Sequence, residues 1–289
     1  MNYQDFIEQL KSSVGILCAD GESVSVTRML KNNSHEVYGI AVNIPGHNIV
    51  PTIHIEPLYD KYKNGSALED LAKEVLDLSE SNRDNLHIDV ERIMQYDTVK
   101  HRILFRLINT EKNEQLLMDM PHRNFLDLSV VYYISIENEE NLVLSTAIHN
   151  RHLSLWDIKE EDLYAHALAN YKKMMGINIQ NIWTLLSKMG MEEAEDDTMY
   201  VATNEKGING AAAMLFDDFL YDFYREHGAF YILPSSTDEI IMVTKDKVSD
   251  EECLKDMVYE VNRTEVDEEH VLSDSVYFYD GNKRSLCIL

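Results

Sequence analysis

Apolar residues recur along this chain at two periods, three to four and two, and the alternation between them divides it into helices and strands. Tyr3, Phe6, Ile7, Leu10 and Val14 fall on one face of a helix that Asp20-Gly21 closes. Two alternating stretches follow, Ser23–Leu30 and Val37–Ile44, joined by the turn-forming Asn32-Asn33-Ser34-His35. A third strand is expected over Ile49–Ile55. Ser66 and Glu69 have the spacing of a capping box, and Leu68, Leu71, Ala72, Val75 and Leu76 form the apolar stripe of the helix it would start. Ile103, Phe105 and Leu107 alternate with Arg102, Leu104 and Arg106, which fits a strand or a helix end. Glu111–Asp119 reads as helical, stopping before Pro121.

The run Leu126–Ile136 is apolar throughout and rich in β-branched and aromatic residues, the signature of a strand buried on both faces. Asn138–Asn141 turns it into Leu142–Ile148. Helices are expected from about Glu160 (Tyr164, Ala167, Leu168, Tyr171) and over Ile179–Met189. The acidic run Glu192–Asp197 resembles a linker. Residues 198–243 read as hairpin, helix, hairpin: Tyr200–Thr203, a glycine-containing turn and Ala211–Phe216; a stripe of Phe216, Phe219, Leu220 and Phe223; then Phe230–Leu233 and Ile240–Val243 around Pro234. Ser249 and Glu252 suggest a second capping box before Leu254, Met257, Val258 and Val261. Val276–Tyr279 and Ser285–Leu289 form a last hairpin about Asp280-Gly281. Strand, strand, helix thus recurs at 23–78, 126–174 and 230–262. The expected class is α+β, antiparallel β-hairpins with helices packed on one face. The reading divides the chain into an N-terminal domain, 1–109, and a C-terminal domain, 110–289.

Composition narrows the function classes. With 289 residues, 45% hydrophobic and 27% charged, the chain is long enough for a sizeable core. Its 51 acidic and 26 basic residues give a net charge of −25, which repels nucleic-acid phosphate and anionic lipid. Three scattered cysteines fit a reducing, cytosolic setting, with Cys18 and Cys253 read as small buried residues. No apolar stretch is long enough for a membrane helix, and neither a signal peptide nor a prenylation box is legible.

The text is similar in several places to an uncharacterised domain family of Gram-positive anaerobic bacteria. The resemblance is carried by Phe125–Val131, Ile148–Trp156, Met199–Asn204, Tyr231–Ser236 and Val271–Asp274, and so extends over nearly the whole chain. It implies a fold and a bacterial origin but no activity and no functional residues. Met214–Val243 also resembles the C-terminal part of a second uncharacterised bacterial family.

Recognised catalytic patterns are missing. There is no Gly-x-Ser-x-Gly, Walker box or dinucleotide fingerprint. His149 and His152 lie three apart with Asp157 nearby, but at a strand end such residues would point to opposite faces; His54 and Glu56 make the better geometric pair. No metal and no cofactor is expected. Gly207 and Gly210 could cradle a phosphate on backbone amides, though a turn explains them equally. Asp217-Asp218 needs only the dipole of the helix it precedes. If a pocket exists, it lies where polar groups border apolar strands: His122, Arg123 and Asp127 in one loop, His149, Asn150, Arg151, His152 and Trp156 in another. Three readings stay open. The first is a non-enzymatic module binding another protein, a basic one by charge; the second is an acidic mimic that inhibits a nucleic-acid-binding protein. The third is a hydrolase using the His122 and His149 loops. The first leads, and no oligomeric state is expected from the sequence.

Overall fold

The computed structural model describes residues 1–46, 50–85, 94–137, 143–188, 190 and 198–289. The chain divides into two compact units, Met1–Lys31 with His35–Val90 and Asn32–Ser34 with Glu91–Leu289. Residues 94–109 therefore group with the second unit rather than the first. They contain strand β4 (Ile103–Asn109), which pairs along its whole length with β6 (Leu128–Glu137).

In the first unit α1 (Tyr3–Leu17) begins where the Asn2 side chain accepts the Asp5 amide at 2.8 Å. Its stripe of Phe6, Ile7, Leu10 and Val14 is buried. Beside it lies an antiparallel sheet of β1 (Ser23–Leu30), β2 (Glu36–Asn43) and β3 (Ile53–His54), with β2 central. Helices α2 (Glu56–Lys63) and α3 (Leu68–Asn85) complete a core built from Ile40, Val42, Ile55, Leu58, Leu71 and Val75. The expected Ser66 cap is displaced by one residue. The Ala67 carbonyl receives the first amides of α3, while the Ser66 amide donates to Lys61 and closes α2.

The second unit is built on two antiparallel sheets. In one, β4 lies along one edge of β6, and the other edge is shared by β5 (His122–Phe125) and β7 (Val143–Ala147). The other has the order β13-β12-β10-β11-β9-β8: Ser285–Ile288, Tyr277–Asp280, Phe230–Leu233, Ile240–Thr244, Met199–Thr203 and Asn178–Asn181. The two-residue period accounts for the layering. Phe230 and Ile232 join the main core, which includes Phe105, Tyr132 and Tyr171, whereas Tyr231 and Leu233 lie beneath Leu254 and Val258. Every residue of β10 is buried because both of its faces are covered.

The longer helices of this unit are α4 (Asn150–Trp156), α5 (Glu160–Met174), α6 (Ile182–Lys188), α7 (Asp217–His227) and α8 (Glu251–Thr264), and single helical turns occur at Tyr96–Val99 and at Glu114–Leu117, within the expected helix Glu111–Asp119. The strand, strand, helix layout occurs at all three expected places, and the fold is α+β.

Several sequence expectations change in detail. Ile179 belongs to β8, and α6 starts only after the Asn181 side chain accepts the Trp183 amide at 2.8 Å. Ala211–Phe216 is not a strand. Residues Gly210–Leu215 form a buried 3-10 turn, because the Gly210 and Ala211 amides already donate to the Asp238 and Thr237 carbonyls, each at 3.1 Å. The cap of α8 is Asp250, whose side chain accepts from Glu252, rather than Ser249. Cys253 is exposed, not buried. The turn over 138–141 and the acidic run 192–197 lie outside the described residues.

Candidate functional site

Strand β5 places His122 and Arg123 on opposite faces of its sheet. The exposed His122 has Nδ1 2.9 Å from the Met120 carbonyl. Arg123 forks onto Glu160 of α5, with donors at 3.0 and 3.3 Å from its two oxygens, and its guanidinium stacks 4.0 Å from the Tyr164 ring. The hydrogen bond to Glu160 raises the Arg123 pKa. Tyr132 also donates to Glu160, and burial followed by that hydrogen bond pushes its hydroxyl far above the ordinary range. Asp127 joins the sheets. It accepts from the hydroxyls of Ser273 (2.6 Å), Ser275 (3.1 Å) and Tyr277.

The second loop is helical. His149 is the residue before α4, and His152 Nδ1 accepts the His149 amide at 2.9 Å. The rings of His149 and His152 are therefore neighbours, 5.7 Å apart, because a helix brings i and i+3 together where a strand end would separate them. His149 pairs with Asp119 at 2.9 Å. His152 stacks on Trp156 at 5.4 Å, and burial, then the nearby Arg151 charge, lowers its pKa. The Trp156 indole donates to the Met94 carbonyl at 3.1 Å. Asn150 ties the preceding loop down from both groups, its amide to Asp119 (2.8 Å) and its side chain to Met118 (3.1 Å). Arg151 is exposed, and Asp157 ends the helix at a positive φ of 53°.

Thus the loop before His122 and the loop after Ile148 do converge, joined through Asp119 and Asn150. Arg123 and Asp127 belong to two other networks. The chemically capable groups of all three are occupied by structural partners. In the other pair, one Glu56 oxygen accepts from the Tyr3 hydroxyl (2.6 Å) and the Tyr38 amide (2.9 Å) while the other is buried without a hydrogen bond, and His54 is exposed.

The glycine loop is occupied as well. The Asn209 amide donates to the Asp238 carboxylate at 2.8 Å, and the Gly210 amide to the Asp238 carbonyl. A Cβ on Gly210 would collide with Thr203 and that carbonyl, so this glycine permits close packing. Gly207 only takes the positive φ of a turn, 67°.

Three features were not singled out from sequence. Arg284 binds Asp217 (2.7 Å) and Asp218 (3.1 Å) at the end of a cleft of about 340 Å³ walled by Phe125, Leu126, Met214 and Leu286. His270 Nδ1 lies 3.1 Å from Asp238. Arg106 interrupts the apolar run 103–108 of β4, and that interruption is its one sequence signal. Among the described residues no group of three or more His, Cys, Asp or Glu is arranged to hold a metal ion, and no helix is long and apolar enough to cross a membrane.

Compared with known proteins, residues 3–281 match a family of unknown function, DUF5688. No curated protein and no solved structure matches the chain.

Proposed function

The chain belongs to this family, DUF5688, and with no activity attached to the family we propose a role from geometry: a non-enzymatic module that binds another protein through α4 and the two backbone segments pinned to it. The observation that carries this reading is a cluster of exposed apolar side chains around one short helix. Met118 is 79% exposed, Leu155 52% and Met94 47%. Leu155 is on α4 itself, while the backbone carbonyls of Met118 and Met94 are held by Asn150 and Trp156 of the same helix. Rigid placement lowers the entropy cost of association, and methionine adapts to varied partner shapes. Exposed Asp119 beside Met118, together with the net charge of −25, favours a partner with basic groups at the rim of its contact. The three unpaired cysteines support a cytosolic setting, and the family resemblance supports a bacterial one.

The test is capture of the partner by tagged protein from the native cell, repeated with the double variant Leu155→Asp, Met118→Asp. Loss of affinity by about tenfold or more, with unchanged circular dichroism, is expected for substitutions at a contact centre. Met257→Asp, on the exposed face of α8, serves as the control and leaves capture intact. Equal capture by all three proteins, or turnover of a substrate by the unmodified chain, contradicts the reading.

A further inference from the structure

Arg106 carries a charge on a strand whose other residues are almost all apolar. The period of β4 puts Leu104, Arg106 and Ile108 on one face, opposite Ile103, Phe105 and Leu107, which face α5 and the main core. Across the ladder Arg106 is opposite Val131, and Leu104 is opposite Tyr133. Tyr133 is therefore the diagonal neighbour of Arg106 on the same face, within reach of a long side chain. Both are recessed, Tyr133 to 7% exposure and Arg106 to an intermediate level.

A guanidinium has five N–H donors in a planar fork. Among the described residues none of those of Arg106 has a hydrogen-bond or ion-pair acceptor; only the charge of Asp238 and the Tyr133 oxygen act on it through space. Asp238 is itself occupied, one oxygen by the Asn209 amide and the other by His270. Burial pushes the guanidinium below its ordinary pKa, as expected of a recessed cation with no ion-pair partner. Burial raises the pKa of the Tyr133 hydroxyl, so the phenol keeps its proton and can act as a donor.

We propose that Arg106 and Tyr133 form a site for one small oxyanion, a carboxylate or a phosphate group, on the face of β4 and β6 turned away from α5. The fork of Arg106 takes two oxygens of the anion in parallel, and the Tyr133 hydroxyl donates to one of them. The acidic remainder of the surface excludes polyanions by repulsion, so the site selects a single compact anion. This site is separate from the α4 platform, and either assignment can fail without the other.

The experiment follows thermal unfolding and calorimetric binding with inorganic phosphate and, separately, acetate, against chloride at matched ionic strength. One of the two anions raises the wild-type midpoint by several degrees, and which one does so identifies the group. Tyr133→Phe weakens binding by about tenfold, the loss of one hydrogen bond to a charged group. Arg106→Lys keeps the charge but loses the fork, and binds more weakly still. Arg106→Met abolishes the shift and, without any anion, unfolds at or above the wild-type temperature, since a recessed cation with no ion-pair partner adds little to the fold. The proposal is overturned if neither anion shifts the wild type, if the shift is equal in Arg106→Met, or if Arg106→Met unfolds well below wild type without anion.

Discussion

Protonating His152 is incompatible with the hydrogen bond it makes. Its Nδ1 accepts the His149 amide, so the fold holds the neutral ring, and its pKa is lowered chiefly by burial. The sign follows. The bond contributes fully above the ordinary histidine value, about 6.5, and its contribution is lost as the pH falls below that value through the folded one. An NMR titration is expected to place the His152 midpoint below 6.5, with exchange of the His149 amide accelerating over the same range; a midpoint above 6.5 contradicts it. At Gly210 the constraint is steric. Gly210→Ala meets a backbone carbonyl that cannot move aside, and a loss of about 2–3 kcal/mol in urea unfolding is expected. Both residues were visible as histidine and glycine in the sequence. Trp156 was grouped with His152, but their stacking needs a helix that the sequence did not show; the contact of Gly210 with Asp238 depends on how separate segments meet.

Helix ends show where local pattern suffices and where it does not. The apolar stripes of α1, α3 and α7 are set by residues a few positions apart, and the sequence shows them directly. The start of a helix is settled by competition among neighbouring acceptors, and twice the winner lies one residue beyond the expected serine. At α8 this gives a clean contrast: Asp250→Ala costs about 1 kcal/mol, while Ser249→Ala is nearly neutral, as measured by chemical denaturation. Equal effects would restore the serine cap. The segment Gly210–Leu215 misleads for another reason. Three alanines in a row suit a strand, a helix or a buried turn, and the Asp238 and Thr237 carbonyls decide among them from the neighbouring loop. The α4 helix was hidden similarly: it is seven residues long, and its start depends on a histidine pair rather than the usual serine or aspartate.

At the scale of the whole molecule, the strand, strand, helix order was legible because each β-hairpin and the helix after it are contiguous in sequence. The pairing of β4 with β6 and the sharing of one edge of β6 by β5 and β7 were not, since several apolar strands are interchangeable by composition. The candidate loops could be named, but not their roles: the structure ties most of their polar groups internally and leaves apolar side chains outward around α4. That contrast is the basis for the proposal of partner binding. Methionine oxidation tests it most directly. Native cell extract and purified protein are treated briefly with peroxide, and sulfoxide is mapped by mass spectrometry at Met94, Met118 and Met257, all exposed in the isolated chain. The account predicts that Met94 and Met118 are protected in the extract relative to the purified protein while Met257 is not. Equal oxidation of all three in both samples would contradict it.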